Sequence, residues 1–414
     1  RLSVQLKCSQ KLMLTELEEE TAEPGAEPEV NPQTQPEAQP DSEADAQIQL
    51  TILSGHTGSV RTCCFIRKDT CGLSASWDGT ARLWDVGTGK ELRCLTGHAG
   101  ARLSCARGDP DGGRAVSAGW DKALSVWDLE TGARLWRGEL GGIVSDARFS
   151  GGDGGGQLVT ASDLDYNMQV WDTRTCSVVQ LIRGVHRSTL TSCRFMLGDR
   201  RILSTSLDFT CKVFDLRAMG VTLAFADHKN AVSSASLSAD ERCLATCSWD
   251  KRILMYDIST GMYRSQGPKI FEESHEGSIS SCCLSADGAK LVSGSYDNSV
   301  MVWDAENGIR EIRLQGHDDW VEDVSLSADG AWMMSASKDA TLRLWNMERM
   351  DEMPAVAESR AQHGVHMKAC DTCGKTFSLA GNLGATQCVF CRIIDRSRQE
   401  TDIAKTIGLD LRIY

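Results

Sequence analysis

No apolar run in the 414-residue sequence approaches the roughly 18 residues of a membrane-spanning helix, and no signal-peptide core is visible, so no helical span is expected. The sequence begins at Arg1 rather than Met, which leaves an upstream segment open. An excess of positive charge is also missing. With 44 Lys and Arg against 57 Asp and Glu, the formal charge is -13, a poor balance for general attraction to nucleic acid or an anionic membrane. The 17 cysteines cannot all pair, and Cys63-Cys64 and Cys282-Cys283 adjoin within strand-like runs, where neighbouring side chains face opposite ways. A disulfide framework is therefore not expected. The thiols read as small buried hydrophobes in a reducing compartment, cytoplasmic or nuclear. Helix-favouring stretches are scarce as well. Gly, Ser and Thr punctuate short runs of Val, Ile, Leu, Trp and Cys, which predicts an all-β chain of short strands and turns.

What is present begins with an acidic segment. Residues 1–46 hold eleven Asp or Glu against three Lys or Arg, and Pro24, Pro28, Pro32, Pro36 and Pro40 recur every four residues. Such a stretch cannot bury a core and is expected to be a disordered tail. From Gln47 onward a repeat takes over. An aromatic followed by Asp or Asn recurs seven times, at Trp84, Trp127, Trp171, Phe214, Tyr256, Trp303 and Trp345, with spacings of 43, 44, 43, 42, 47 and 42. Six residues before each stands an aspartate: Asp78, Asp121, Asp165, Asp208, Asp250, Asp297 and Asp339. A histidine lies 28 or 29 residues before the aromatic in six repeats, at His56, His98, His186, His228, His275 and His317.

These landmarks resemble those of the WD40 β-propeller family over residues 47–346. The resemblance implies a seven-bladed propeller with four antiparallel strands per blade. The turn aspartate would join the second and third strands, and the aromatic would lie on the third. It also implies a buried hydrogen-bond chain from indole through serine and histidine to aspartate. That chain is assigned to His56, Ser76, Asp78 and Trp84; to His275, Ser295, Asp297 and Trp303; and to His317, Ser337, Asp339 and Trp345. In other repeats Gly119, Phe214 or Tyr256 interrupts the set. A serine so committed is no nucleophile, so neither a catalytic triad nor an enzyme is expected. Family analogy makes the run from Ala46 to Leu53 the missing outer strand of the last blade. Repeat three departs from the pattern, with Glu139-Leu140 in place of Gly-His. It also carries a glycine-rich insertion from Ser150 to Gly156, which lacks the Gly-Lys-Ser or Gly-Lys-Thr of a phosphate-binding loop. The stretch from Gly261 to Ser274 is longer than its counterparts.

The residue before each turn aspartate is Trp77, Trp120, Leu164, Leu207, Trp249, Tyr296 or Lys338, mostly large and apolar where solvent favours polar side chains. With Trp320, Glu322 and Arg61 these positions resemble the peptide contacts of the family's top face. The leading expectation is a non-enzymatic scaffold, monomeric within a larger complex, that holds a peptide segment of a partner protein there. A competing reading uses the other face, because Arg174 and Arg217 follow Trp171-Asp172 and Phe214-Asp215 in the manner of propellers that serve cullin-based ubiquitin ligases as substrate receptors.

Beyond a linker at 347–361, residues 362–400 contain Cys370-x2-Cys373-x14-Cys388-x2-Cys391, the spacing of four thiolates around one structural Zn2+. His363 and His366 are spare donors. Four thiolates leave no open position for catalysis. Between His363 and Glu400 five basic residues face three acidic ones, too slight a balance for a phosphate footprint, so a weakly nucleic-acid-binding ribbon is the minor alternative. Residues 401–414 resist assignment.

Overall fold

The computed structural model describes residues 50–152, 156–163, 166–261, 263–271 and 275–347, with two short strands at Met367–Ala369 and Thr376–Ser378. The acidic tail, the linker beyond residue 347, the four cysteines assigned to zinc and the last 14 residues lie outside them. So do Leu164 and Asp165. The described chain forms seven four-stranded antiparallel sheets and one two-stranded hairpin. Blade one is Val60–Ile66, Cys71–Ser76, Thr80–Asp85 and Glu91–Thr96, from the innermost strand outward, and the next five blades repeat that order along the chain.

Blade seven supplies only three of its own strands, Val321–Leu326, Trp332–Ser337 and Thr341–Asn346. Its outer strand is Leu50–Ser54 from the other end of the described chain, paired antiparallel from Leu50 opposite Trp345 to Ser54 opposite Thr341. The cover removes an unpaired strand edge and closes the ring. The core lies between blades. One cluster joins Leu53, Val60, Cys63 and Trp84 to Met334, Ala336, Leu342 and Leu344, across the first and last blades. Another joins Leu73, Ala75 and Leu83 of blade one to Leu103, Ala106 and Trp127 of blade two. The thiols serve as apolar filling here, and burial pushes that of Cys105 up to about 12.

Every innermost strand carries a bulge after its first residue, at Arg61, Ser104, Ser145, Thr191, Ser233, Ser280 and Glu322. A bulge re-aims the extra side chain. In blades four, five and six that side chain is a hydroxyl donating to the next blade: Thr191 to Val232 O at 2.7 Å, Ser233 to Ile279 O at 2.7 Å and Ser280 to Val321 O at 2.6 Å. At the seam between blades seven and one, Glu322 and Arg61 take this place as an ion pair at 2.5 Å. One position deeper, the Asp323 carboxylate accepts from Cys63 N at 3.0 Å, Arg107 Nη2 at 3.0 Å and Ser281 Oγ at 2.7 Å, tying four blades together.

The histidine networks correct the serine assignment. In blade seven His317 Nδ1 lies 2.8 Å from Asp339, its Nε2 lies 2.7 Å from Ser335 Oγ, and Trp345 Nε1 donates to the same oxygen at 2.9 Å. The serine is Ser335 and not Ser337; likewise it is Ser74 and not Ser76, and Ser293 and not Ser295. Ser76, Ser295 and Ser337 instead donate to backbone carbonyls of the loop before the first strand, Gly58, Ser278 and Asp319, and accept from the turn amides of Asp78, Asp297 and Asp339. Blade two is complete as well, through His98, Ser117, Asp121 and Trp127, so Gly119 interrupts nothing. In blade three, without the histidine, Thr160 alone receives the Trp171 indole at 3.1 Å.

Proton directions follow from chemistry. An indole only donates, so the serine hydroxyl must give its hydrogen to Nε2, and the neutral ring then donates from Nδ1 to aspartate. Burial opposes ionisation of Asp78, Asp208, Asp297 and Asp339, but hydrogen bonds from the histidine and the turn outweigh it and hold these carboxyls below the usual range. Burial likewise depresses His98 and His317 and favours the neutral ring.

The two long segments are anchored. Gly151 and Gly152 donate to the Asp199 carboxylate, which ties the described end of the glycine-rich insertion to blade four. In blade five a helical turn, Tyr263–Gln266, lays the Tyr263 ring 5.2 Å from Phe225 and 5.8 Å from Tyr256.

Candidate protein-binding face

The turn between the second and third strands sets the rim. In each case the residue before the turn aspartate donates its amide to the residue preceding the innermost strand or one close to it: Trp77 to Ser59, Trp120 to Arg102, Leu207 to Thr189, Trp249 to Ala231, Tyr296 to Ser278 and Lys338 to Trp320. This bond places six side chains at equivalent positions of six blades. In blade three the same bond is made by Asp163 to Ile143, so Asp163 holds that position, and Leu164 lies outside the described residues. One extra residue in that turn shifts the assignment.

Several of these side chains form a connected run. The Trp77 and Trp120 rings meet edge to face, with centroids 6.5 Å apart. The Arg102 guanidinium lies 4.7 Å from the Trp77 ring centroid and 5.6 Å from that of Trp120, and Arg61 lies 5.4 Å from Trp77 on the seam side. Tyr296 stacks on Trp320 at 4.8 Å, and Lys338 Nζ sits 4.5 Å from the Trp320 centroid. Burial and the Glu322 charge push the Tyr296 hydroxyl up, with Arg61 opposing them, so the Arg61–Glu322 pair bridges the two aromatic groups. All the rings in this run are half-buried. Guanidinium stacked on indole is held without losing its hydrogen-bonding edge.

Two sequence assignments change meaning. Arg61 and Glu322 are spent on each other; Glu322 is buried, and burial pushes its carboxyl up against the opposing pull of Arg61. They act first as the staple of the closing seam. Trp249 and Leu207 sit on the same rim, half-buried, away from the run. Arg102 was missed by the sequence reading, although its position just before an innermost strand is the one that Ser59 holds in blade one. Its Nη1 is buried without a hydrogen-bond partner.

On the opposite face, Arg174 and Arg217 are exposed in turns that follow third strands. Their backbone amides are bound by Asp172 and Asp215, at 2.7 and 2.8 Å. The same geometry explains the acidic member of each aromatic-acidic pair, whose carboxylate caps the turn to the outer strand, as Asp85 does for Thr88. Among the described residues no cluster of three or more His, Cys, Asp or Glu fits a metal ion. The hairpin at Met367–Ala369 and Thr376–Ser378, with Lys368 opposite Phe377, flanks the sequence segment that contains Cys370 and Cys373.

The comparisons agree with this architecture. The family model for the WD domain, G-beta repeat, matches residues 47–85, 89–128, 179–215, 221–257, 268–304 and 309–346, more than half of the chain. The unmatched stretch holds the blade that lacks a histidine. The chain is 35% identical to human WD repeat-containing protein 88 over 163 residues, 39% of this chain and 34% of that protein. It is 26% identical to WD repeat-containing protein 37 of Xenopus laevis over 215 residues, 51% of this chain and 34% of that one. With the guanine nucleotide-binding protein subunit beta of Oryza sativa subsp. japonica it shares 28% identity over 227 residues, 50% of this chain and 59% of the relative. The matches thus span between about a third and three-fifths of these relatives' lengths. On the repeat matches and the seven closed blades together, the chain belongs to the WD40-repeat family of β-propellers.

Proposed function

We propose that the protein is a non-enzymatic scaffold that holds a peptide segment of a partner protein against the rim carrying Trp120, Trp77, Tyr296 and Trp320. Propellers of this family generally act as protein-interaction scaffolds, and the aromatic-guanidinium run across four neighbouring blades supports that use here. Half-buried aromatics give large contact area at low entropic cost. The unpartnered Arg102 Nη1 favours a carboxylate beside the apolar anchor of the peptide. Proximity labelling in living cells with the intact chain and a Trp77→Ala, Trp249→Ala, Trp320→Ala variant tests this reading. Loss of one small group of neighbours from the variant is expected, since truncating a buried anchor costs about 2 kcal/mol or more. Equal labelling by both proteins sinks it.

The exposed Arg174 and Arg217 side chains favour a second reading, docking to a cullin adaptor. Co-purification of the adaptor that is lost on Arg174→Ala with Arg217→Ala would support it, and absence of the adaptor from the intact chain's complexes would remove it. The Cys370, Cys373, Cys388 and Cys391 spacing supports a structural Zn2+ in the tail, serving docking rather than chemistry.

A further inference from the structure

The innermost strands start near the tryptophan rim and end at the opposite mouth of the central channel, where the chemistry changes. At equivalent positions near those ends, opposite Val116, Val159 and Leu203 of the second strands, blades two, three and four carry Arg107, Arg148 and Arg194. The other four blades have cysteine or serine there. Arg107 donates from Nη1 to Cys63 O at 2.7 Å and from Nη2 to Asp323 at 3.0 Å, but its Nε is buried without a partner. Arg148 donates from Nε to Asp146 at 3.2 Å. Arg194 has neither a hydrogen bond nor an ion pair among the described residues, and burial, with Arg148 beside it, lowers its guanidinium to about 10.

These three residues line a cavity of about 450 Å³, with Arg67 and Lys68 at its edge. Two carboxylates share the wall, and both are committed: Asp109 pairs with Arg114 at 3.0 Å, and Asp69 accepts from Ala328 N at 2.8 Å. Asp323 and Asp146 answer Arg107 and Arg148, so of the five cations Arg67, Lys68 and Arg194 have no ion pair among the described residues, a local positive excess in a protein whose formal charge is -13. Arg194 is half-buried, and the Asp146 and Glu241 carboxylates act on it only from beyond ion-pair distance, so its donors remain for an arriving anion. Guanidinium forks match phosphate oxygens two at a time, and the volume falls within the roughly 300–1,000 Å³ of small-ligand sites.

We propose that this mouth binds a small soluble polyphosphate anion, gripped by Arg194 and Arg148, with Arg67 and Lys68 steering its entry. The site lies on the face away from the proposed peptide rim, so the two readings fail separately. The test is calorimetric titration of the full chain with inorganic tripolyphosphate, beside a thermal melt with and without it. One anion per chain is expected, with a raised melting temperature. Arg194→Ala should weaken binding by at least about tenfold, one charge-assisted contact. Arg242→Ala, which removes the same charge from an exposed surface site, should leave affinity unchanged. Without the anion, Arg194→Ala should melt no lower than the parent, which separates lost binding from lost folding. No heat and no melting shift in the parent would overturn the proposal. So would equal affinity of the two arginine variants, or binding only to vesicles carrying phosphatidylinositol bisphosphate and not to tripolyphosphate.

Discussion

Ser335→Ala isolates the network that fixes each blade's turn. The Ser335 hydroxyl is fully buried and stands between the Trp345 indole at 2.9 Å and His317 Nε2 at 2.7 Å. Removing it strands a donor and an acceptor together, with Trp345 and His317 both only 2% exposed, so water cannot replace the lost partner. Each orphaned group costs about 1–3 kcal/mol, which puts the substitution at about 2–6 kcal/mol. For a disc of this size that is a fall on the order of 10 °C in Tm. Urea denaturation followed by tryptophan fluorescence reads the loss directly. Ser335→Thr keeps the hydroxyl and should stay within about 1 kcal/mol of the parent, because Thr160 and Thr246 already do this work in blades three and five. Ser337→Ala breaks only the bonds to Asp319 O and from Asp339 N, and should cost less than Ser335→Ala. A Ser335→Ala protein within about 0.5 kcal/mol of the parent, or less harmed than Ser337→Ala, would refute the reasoning.

Three further outcomes are expected. Deleting residues 50–54 uncovers the Thr341–Asn346 strand and removes buried Leu53, so the whole disc should lose more than about 3 kcal/mol; an unchanged melt would contradict closure by this strand. Stability should fall with acid in two stages. His98 and His317 have folded values below their unfolded value of about 6.5, so their contribution is full above that pH and lost as pH drops through the window below it. The turn carboxylates, depressed below about 3.9, lose theirs only under stronger acid. A melting temperature flat from neutral pH to about pH 5 would count against the first stage. Native mass spectrometry of protein purified under reducing, metal-replete conditions should find one Zn2+ per chain, released by Cys373→Ser with the propeller's β-sheet circular dichroism intact; a zinc-free parent chain would end that reading.

The sequence by itself determined the number of blades, the positions of the histidine, aspartate and aromatic landmarks, and the rim residues of six blades. Each is a local relation, and a repeated supersecondary unit records local relations as fixed spacings. The choice between Ser74 and Ser76 was not legible, because alternation puts both on one face of the same strand and only the position of the indole over Ser74 decides. Blade three's rim position escaped for a similar reason, since one added turn residue breaks the count that a bond from Asp163 to Ile143 restores. The tertiary structure alone paired Arg61 with Glu322 and Cys63 with Asp323, more than two hundred residues apart. Spacing carries no record of such contacts, which exist only once the ring closes. The tertiary structure also gathers Arg107, Arg148 and Arg194 from three blades around one cavity and leaves Arg194 without an ion pair among the described residues, a property of the assembled channel and of no single repeat.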